Sequence, residues 1–472
     1  MALQLHDTMT GKLQTVVPLE AGHVRVYTCG PTVWNRAHIG NFRTFIFEDV
    51  LRRILEQRFA RVTHVMNLTD VDDRIINNTV AHGHTLDEET APWIAAFFAD
   101  VDTLGIRRAH HYPRATEYIE QMVGLIERLE RNQVTYRSDG SVYFHIAAFP
   151  SYGRLSGVQA SGLIAGASGR IDADDYAKED ARDFALWKAA SADQPAWDTR
   201  LGRGHPGWHI ECSAMSMALL GESFDIHCGG VDNIFPHHEN EIAQSEAATH
   251  KRFVSLWCHS AHLYIDEEKM SKRKGNFFSL QDIIEDEGQR PSTIRYLLAA
   301  TVHYRKVLNY TTESLEASAA AVDRLSTFRD RLTRLEPAPA GEQRAVELAA
   351  QARQRFDVEL DDDLNLPAGM GHVFTAIRDA NRMLDGNTVD AAGREAMLDL
   401  LAHVDDVLGV LPLVDREREG DLTDEQRALL DKRAGARADR DWAASDALRN
   451  QLIAAGIHVE DTPGGQRWRR IV

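Results

Sequence analysis

The stretch with the clearest chemical potential runs from Cys29 to Asn41 and is CGPTVWNRAHIGN. Residues 23–28 before it are rich in β-branched and aromatic side chains and predict a strand. Residues 42–58 after it carry apolar side chains at helical spacing. A strand that turns into a helix offers backbone N–H groups and a positive helix end to phosphates. His38 and Asn41 would add an imidazole and a carboxamide there, and Gly40 permits close approach of the backbone. An ordinary loop with a core histidine is the alternative.

A second stretch, Lys269-Met270-Ser271-Lys272, lies further along the chain. Lysines on a loop suit the neutralisation of charge during transfer chemistry at phosphorus. A basic surface loop would also account for these lysines.

Several side chains are candidate metal ligands. His237 and Glu241 are four residues apart in a segment predicted to be helical, so they share one face. Imidazole, carboxylate and thiolate groups are all acceptable zinc donors. No spacing rule connects this pair to the distant Cys29 and Cys212. The alternative is that residues 237–241 form a solvated helix face and the cysteines are small core residues.

The elements that must position these groups begin with alternating strands and helices over residues 1–115. A strand at residues 61–66 runs into the acidic loop NLTDVDDR, residues 67–74. Repetition of strand, helix and polar loop predicts a doubly wound parallel sheet. Asp70, Asp72 and Asp73 resemble a calcium loop only superficially, because the glycine and terminal glutamate of an EF-hand are missing.

Residues 116–205 are predicted to be an insertion. It contains a helix at 116–132, a hairpin turning at 138–140, a loop at 151–168, an ordered segment at 183–188 and a loop at 195–206. The sheet is predicted to resume at 207–212, followed by a helix to about 220, a strand at 224–227 and a helix from His237 to Thr249 that opens at Pro236.

The C-terminal part is predicted to be helical. A helix is expected at 315–335, a linker at 336–341, further helices at 342–411, a charged break at 415–420 and a small unit at 421–472.

Composition restricts the class of protein. The hydrophobic fraction is 43% and the charged fraction 26%, as in globular proteins. No apolar run is long enough to cross a membrane, and the N-terminal residues are not typical of a signal peptide. Four widely spaced cysteines favour a reducing, cytoplasmic setting over a disulfide framework. The net charge, 53 minus 71 or −18, argues against indiscriminate nucleic-acid binding but does not exclude a tRNA ligand.

Taken together, HIGN after a strand and KMSK further on resemble the two-part signature of class I aminoacyl-tRNA synthetases. The CGPTV segment resembles the cysteinyl branch of that family. Other similar blocks are NLTDVDD, GWHIECSAMS, FPHHENEIAQSE and the C-terminal DALR, GIHVEDTP and RW, so the resemblance spans Tyr27 to Arg469.

The resemblance implies a Rossmann-like catalytic sheet with an inserted domain, then an α-helical domain and a small C-terminal anticodon-binding domain. The implied divisions are residues 1–115 and 206–265 for the catalytic halves, 116–205 for the connective insertion, 266–314 for the KMSK and stem-contact region, 315–412 for the helical bundle and 421–472 for the anticodon-binding domain.

The same resemblance implies one zinc ion per chain, held by Cys29, Cys212, His237 and Glu241. The choice of His237 over His238 rests on the resemblance, not on spacing. Direct coordination of a thiolate would select cysteine over serine, whose hydroxyl is a harder and weaker ligand. One departure is Cys228, where the family usually has glycine. It is interpreted as a bystander that fills a gap, or alternatively as another thiolate near the metal.

Further roles are implied for residues that match the motifs. Catalysis is expected of His38, Asn41, Lys269 and Lys272, with Lys272 the main cation. Arg273 and Lys274 depart from the family pattern and add two charges. ATP binding is implied for Thr32, His38, Gly40, Asn41, Met270 and Lys272, and substrate binding for Gly30, Thr69, Trp208 and Asp232.

The tail is expected to contact tRNA through Arg467, Trp468 and Arg469, because guanidinium groups beside an indole suit phosphate contact and base stacking. A solvated basic tail is the alternative. In the helical region, Asp361, Asp362 and Asp363 are interpreted as charges at a helix N-terminus in preference to a metal site.

The function expected from the resemblance is a cysteine–tRNA ligase activity that uses L-cysteine, ATP with Mg²⁺, and tRNA(Cys), in a monomer. A related ligase that joins cysteine to an amino-sugar inositol is the nearest rival, although it resembles the synthetase without its anticodon unit. A non-catalytic regulator that binds tRNA or zinc is a rival from another class, and a plain nucleotidylyltransferase would leave the KMSK loop unexplained.

Overall fold

The computed structural model describes residues 2–158, 183–269, 277–339, 343–420, 423–462 and 465–470. Strands and helices mix in the first two thirds of the chain, and helices dominate the rest. The strands are β1 (Gln4–Asp7), β2 (Lys12–Thr15), β3 (His23–Thr28), β4 (Arg61–Met66), β5 (Thr135–Ser138), β6 (Ser141–Phe144), β7 (Phe184–Ala189), β8 (Trp197–Thr199), β9 (Gly202–Pro206), β10 (Phe224–Gly230), β11 (Val254–Ser260), β12 (Leu263–Ile265), β13 (Glu268–Lys269), β14 (Leu308–Tyr310), β15 (Ile457–Thr462) and β16 (Gly465–Arg470).

The α-helices connect and cover these strands. In chain order they are α1 (Ile39–Arg58), α2 (Asp73–His82), α3 (Leu86–Thr103), α4 (Ile119–Arg131), α5 (Trp208–Leu220), α6 (Glu239–Thr249), α7 (Pro291–Ala300), α8 (Thr312–Arg334), α9 (Arg344–Asp361), α10 (Leu366–Asp385), α11 (Ala391–Leu408), α12 (Leu411–Gly420), α13 (Asp424–Ala438) and α14 (Trp442–Ala454).

A four-stranded parallel sheet in the order β11-β10-β3-β4 forms the centre of the N-terminal half. The strands predicted at residues 23–28 and 61–66 are confirmed. Within this sheet, β4 is the neighbour of β3 on one side and β10 is its neighbour on the other. The carboxyl ends of β3 and β10 therefore flank a crevice where an open α/β sheet binds its ligands. The predicted α/β class with a parallel sheet is confirmed.

The inserted segment forms a five-stranded antiparallel sheet in the order β5-β6-β7-β9-β8. Its predicted hairpin is confirmed, and Asp139 and Gly140 at the turn have positive φ angles of 48° and 79°. The prediction of a loop at 195–206 is wrong, since β8 and β9 lie there, β8 pairs with β9, and β9 also pairs with β7.

The strand predicted at 207–212 is also wrong. Gly207 is the N-cap of α5, and Ile210 and Ala214 repeat at helical spacing on its buried face. The helix predicted from His237 begins as α6 at Glu239, because Phe235 is extended and residues 234–238 form a wider turn.

The predicted charged break at 415–420 is helical and belongs to α12. Its charges have partners on neighbouring helices. Glu417 accepts hydrogen bonds from the backbone N–H and hydroxyl of Ser292 at 2.6 and 2.8 Å. Arg418 lies 3.2 Å from Asp330. These contacts hold a charged segment in helical form.

The interpretation of Asp361–Asp363 as N-terminal helix charges is wrong. Asp361 ends α9, and α10 begins only at Leu366. Asp363 lies between the two helices, where it accepts hydrogen bonds from the Tyr304 hydroxyl and Arg305 Nε, both at 2.6 Å. Asp363 therefore connects the helical region to the segment that follows α7.

The last unit packs α13 and α14 against the antiparallel pair β15 and β16. Its small core consists of Leu430, Leu452, Ile457 and Val459. Arg433 is fully buried and binds both oxygens of Asp461 at 2.8 and 2.9 Å. Across the residues that the structure describes, none of the helices has the length and apolarity required to span a bilayer.

Candidate active site and metal centre

A cavity of about 540 Å³ opens at the carboxyl ends of β3 and β10. It brings together most of the residues singled out from the sequence. Its lining includes Cys29, Gly30, Thr32, His38, Gly40, Asn41, Thr69, Trp208, Cys212, Asp232 and His237. Glu241 is fully buried in α6, next to His237. Lys269 ends β13, whereas Met270 and Lys272 lie outside the described residues.

The floor of the cavity is held by Asn67, which sequence reasoning did not single out. The backbone N–H of Gly30 donates to Asn67 Oδ1 at 3.0 Å, and Asn67 Nδ2 donates to Thr69 Oγ1 at 3.1 Å. A Cβ atom on Gly30 would lie 1.8 Å from the Asn67 carbonyl oxygen, so only glycine fits. One buried amide therefore fixes two of the four predicted substrate-binding residues, Gly30 and Thr69.

Cys29, Cys212 and the pair His237 and Glu241 come from three separate segments and offer one ligand atom each within 4.8 Å of one another. All four side chains are buried. Glu241 Oε1 lies 3.1 Å from His237 Nε2. This close approach of a carboxylate oxygen and an imidazole nitrogen places two potential ligand atoms where one cation could bind both.

The electrostatics of this group also fit a cation. Hydrogen bonding from the Cys29 thiol lowers the pKa of Cys212 to about 6. Burial alone would lower the pKa of His237, but Glu241 and Cys212 raise it to about 10. The cluster therefore concentrates negative charge in a buried place, and thiolate, imidazole and carboxylate donors suit Zn²⁺.

The orientation of His237 is set by His209, another residue that the sequence analysis missed. The two Nδ1 atoms are 2.9 Å apart, so one of them carries a proton. With that proton on His237 Nδ1, the lone pair of Nε2 faces the cluster, which is the usual arrangement of a ligating histidine. The ring of Trp208 stacks on the other side of His237 at 4.5 Å.

The opposite end of the cavity is the N-terminus of α1. His38 is its N-cap, and the N–H of Asn41 donates to His38 Nδ1 at 3.2 Å, while Asn41 Oδ1 accepts from the His38 N–H at 3.1 Å. Because Nδ1 accepts a hydrogen bond, the neutral ring carries its proton on Nε2. This end of the site can therefore donate hydrogen bonds to an anion at a positive helix end.

Comparison with known proteins decides the family. Residues 15–320 match the family described as tRNA synthetases class I (C) catalytic domain. Residues 355–412 match the DALR domain, and residues 419–469 match the cysteinyl-tRNA ligase anticodon binding domain. A cysteine–tRNA ligase of Solibacter usitatus is 47% identical over 474 residues and covers 100% of both chains. One of Brachyspira hyodysenteriae is 43% identical over 98% of both chains.

The chain belongs to the cysteine–tRNA ligase family. The recognition made from the sequence is therefore confirmed, and so is the class I aminoacyl-tRNA synthetase assignment.

Solved structures agree on the fold. A methionyl-tRNA synthetase of Mycobacterium tuberculosis in complex with methionyl-adenylate has a TM-score of 0.61 at 15% identity, covering 90% of this chain and 96% of that chain. A leucyl-tRNA synthetase complex of Agrobacterium radiobacter has a TM-score of 0.59 at 10% identity, with 84% of each chain covered. At these identities the likeness concerns the fold alone.

The cysteine–tRNA ligase site contains a second possible donor group, formed by Cys29, His227, His238 and Glu241. His227 and His238 do not line the cavity. His227 Nε2 lies 3.1 Å from Glu241 Oε2, and His238 Nδ1 lies 2.8 Å from His259 Nε2. These histidines lie behind the first donor group, which is the one that faces the cavity through Cys29, Cys212 and His237.

Cys228 lies on the other side of the sheet from His227, because successive side chains of a strand alternate. It is fully buried in the core beside Cys258, its partner on β11. None of the three donor groups found among the described residues includes Cys228. This position favours the bystander interpretation.

The segments next to the KMSK motif contact the HIGN turn directly. The N–H of Ile39 donates to the Phe278 carbonyl at 3.0 Å, and the ring of Phe277 lies 4.9 Å from that of His38. On the other side of the motif, β13 pairs with β12. Residues 270–276, including Arg273 and Lys274, lie outside the described residues.

Trp34 and Arg74 form the remaining wall of the cavity. The guanidinium carbon of Arg74 lies 4.9 Å from the centre of the Trp34 ring. Both line the cavity. They belong to the CGPTVWNRAHIGN and NLTDVDDR stretches, but the sequence analysis assigned no role to either. Asp232 follows β10, and a Cβ on Gly230 would lie 2.6 Å from its Oδ1, so the two residues are closely packed.

At the C-terminus, Trp468 is partly buried and packs against the small core of its unit. Arg467 and Arg469 belong to β16, and their side chains are outside the described part of the structure. The stacking role expected of Trp468 stays a prediction.

Proposed function

We propose that this chain activates L-cysteine with ATP to form cysteinyl-adenylate and pyrophosphate, and then transfers the cysteinyl group to the 3′-terminal adenosine of tRNA(Cys). The observation that carries the proposal is the shared cavity. The metal-ligand group at one end and the N-terminus of α1 at the other are both part of the same lining. A thiol and a triphosphate can thus be held by one site.

Cys29, Cys212, His237 and Glu241 would hold one zinc ion. When bound, this ion would act as a Lewis acid that prefers a thiolate to a hydroxyl. Glu241 keeps its charge because His227 and His237 together outweigh the effect of burial and lower its pKa to about 2. Trp208 is 39% exposed and covers His237, so it closes the cysteine side of the cavity.

The ammonium and carboxylate groups of the cysteine substrate are assigned to the floor of the cavity. Asp232 would receive the ammonium group, while Gly30 and Thr69 hold the substrate against the strand ends. These positions leave the substrate carboxylate directed towards the α1 end, where ATP would bind.

In the activation step the cysteine carboxylate attacks the α-phosphorus of ATP and pyrophosphate leaves. His38 would donate Nε2–H to the phosphates, and Asn41 keeps that ring in position through their reciprocal hydrogen bonds. Thr32, Gly40 and Met270 are assigned to ATP binding, and Lys269 and Lys272 to the neutralisation of charge on the leaving group. Mg²⁺ would enter with ATP.

We retain as further proposals the domain divisions given by the resemblance, a monomeric state and a cytoplasmic location. Contact of the C-terminal unit with the anticodon, through Arg467, Trp468 and Arg469, also belongs here. Its support is the match of residues 419–469 to an anticodon binding domain.

The test is cysteine-dependent exchange between ATP and pyrophosphate on purified protein, repeated with serine, followed by charging of total tRNA. Exchange with cysteine alone, together with charging, is the expected result. Exchange without charging would replace the proposal with a small-molecule cysteine ligase. Absence of exchange in protein that contains zinc would favour a non-catalytic regulator.

A further inference from the structure

A second group of metal-ligand side chains lies away from the cavity, at the corner between α2 and α3. It consists of His82, His84 and Glu89, whose ligand atoms are within 4.8 Å of one another. His82 Nδ1 and His84 Nδ1 lie 2.9 and 3.0 Å from the same oxygen, Glu89 Oε2. The two imidazole rings are 5.4 Å apart. None of these residues lines the active-site cavity.

The backbone of this corner is fixed from both sides. Gly83 caps α2 in the left-handed conformation with φ 67°, and the N–H of His84 donates to the Thr79 carbonyl at 3.0 Å. Thr85 then begins α3 with a reciprocal capping interaction to Glu88. The two histidines therefore have little backbone freedom to lose when they bind a common ligand.

The two histidine side chains are accessible to solvent, and the carboxylate beside them is buried. The side chains of His82 and His84 are 54% and 47% exposed, whereas that of Glu89 is only 7% exposed. Hydrogen bonding from His82, assisted by His84, lowers the pKa of Glu89. When each neutral imidazole carries its proton on Nε2 instead, both Nδ1 atoms offer lone pairs beside the buried carboxylate, and the group presents one negative charge to an entering cation.

We propose that His82, His84 and Glu89 form a second metal site that binds a divalent ion of the zinc, nickel and copper type, with water in the remaining positions. Two imidazoles and one carboxylate are a donor set that such ions accept, while Mg²⁺ and Ca²⁺ prefer oxygen ligands. The bound ion would tie the C-terminal end of α2 to the first turns of α3. The opposite end of α2 carries Arg74, which lines the active-site cavity.

The experiment titrates Zn²⁺ into the full-length protein after its active-site zinc has been loaded, using calorimetry in a buffer that does not chelate metals. Wild-type protein is expected to take up one further equivalent and to unfold at a higher temperature once it is bound. The variant His82→Asn/His84→Asn should lose both effects at a Zn²⁺ concentration that saturates the wild type. Glu89→Gln should weaken binding.

The matched control is His250→Asn, because His250 is also an exposed histidine and its left-handed backbone suits asparagine. It should keep the further equivalent. The proposal is overturned if wild-type protein binds no zinc beyond the active-site equivalent, or if the double variant binds it as tightly as the wild type. Circular dichroism of each variant identifies any that fails to fold, and Glu89→Gln then supplies an independent result.

Discussion

The two ends of the active-site cavity are built in different ways. At the α1 end, His38 and Asn41 belong to one continuous turn and hold each other through a local capping interaction. At the metal end, Cys29 follows β3, Cys212 belongs to α5, His237 lies in the turn before α6, and Glu241 belongs to α6. The α1 end therefore depends on local backbone geometry, whereas the metal end depends on the packing of distant segments.

This difference suits the two tasks. Phosphates carry much charge and are met by a helix end and by cationic side chains. Discrimination between a thiol and a hydroxyl needs fixed ligands, since an apolar pocket separates similar side chains by only about 1–3 kcal/mol. The buried donor group, supported by His209 and His227, supplies that rigidity.

The largest expected effect comes from Cys212→Ser, which changes the metal end alone. Zinc should be lost, and with it most of the preference for cysteine over serine. A site dedicated to one polar group discriminates by roughly 10⁴-fold. Metal analysis and pyrophosphate exchange with both amino acids measure these effects. Zinc content equal to that of the wild type would remove Cys212 from the ligand set.

His38→Asn tests the other end. Asparagine is also a good N-cap, so stability should change little while the imidazole donor is removed. The rate of pyrophosphate exchange should fall by about 10²–10³-fold, as when one preorganised donor is removed, with zinc content and the preference for cysteine unchanged. A matching loss of zinc would show that the two ends are not independent.

Gly30→Ala should affect both ends, because Gly30 lies on their shared floor. The added Cβ would meet the Asn67 carbonyl oxygen at 1.8 Å. Overpacking of this kind costs about 1–3 kcal/mol, measured by denaturant unfolding, and activity should fall with it. The control is Gly435→Ala in α13, where the space is open and alanine should stabilise the helix by about 0.5–1 kcal/mol. Equal stability of the two variants would contradict the close packing of the floor.

Acid should weaken the binding of zinc. In the metal-free protein the Cys212 thiol has a pKa of about 6, so protons compete with the ion at this sulfur as the pH falls below that value. The apparent dissociation constant for zinc, measured by competition with a chelator of known affinity at a series of pH values, should rise by at least about tenfold per pH unit below pH 6. A dissociation constant that stays the same between pH 6 and pH 4 would contradict the assignment of Cys212 as a ligand.

The smallest effect is expected for Cys228→Ala. In the sequence Cys228 lies between Cys212 and His237, but its side chain lies on the opposite face of the sheet, in the core beside Cys258. Zinc content and exchange should match the wild type, with a stability loss of about 1 kcal/mol. Reduced zinc content would bring back the interpretation of Cys228 as a thiolate near the metal.

The sequence by itself determined the local features of this protein. The strands at 23–28 and 61–66, the helix after HIGN and the hairpin at 138–140 follow from short-range patterns and turn residues, and each is confirmed. The family also follows from the sequence, because its motifs are contiguous blocks.

Tertiary structure decided what depends on distant partners. Residues 415–420 are helical because their charges find partners on α7 and α8, which a local pattern does not reveal. Asn67 and His209 acquire their roles only when strand ends and helices from separate segments converge. The spacing of His237 and Glu241 indicated half of the metal group, but Cys29 and Cys212 were connected to that pair only through the family resemblance, since they are distant in sequence and meet it only in the folded chain.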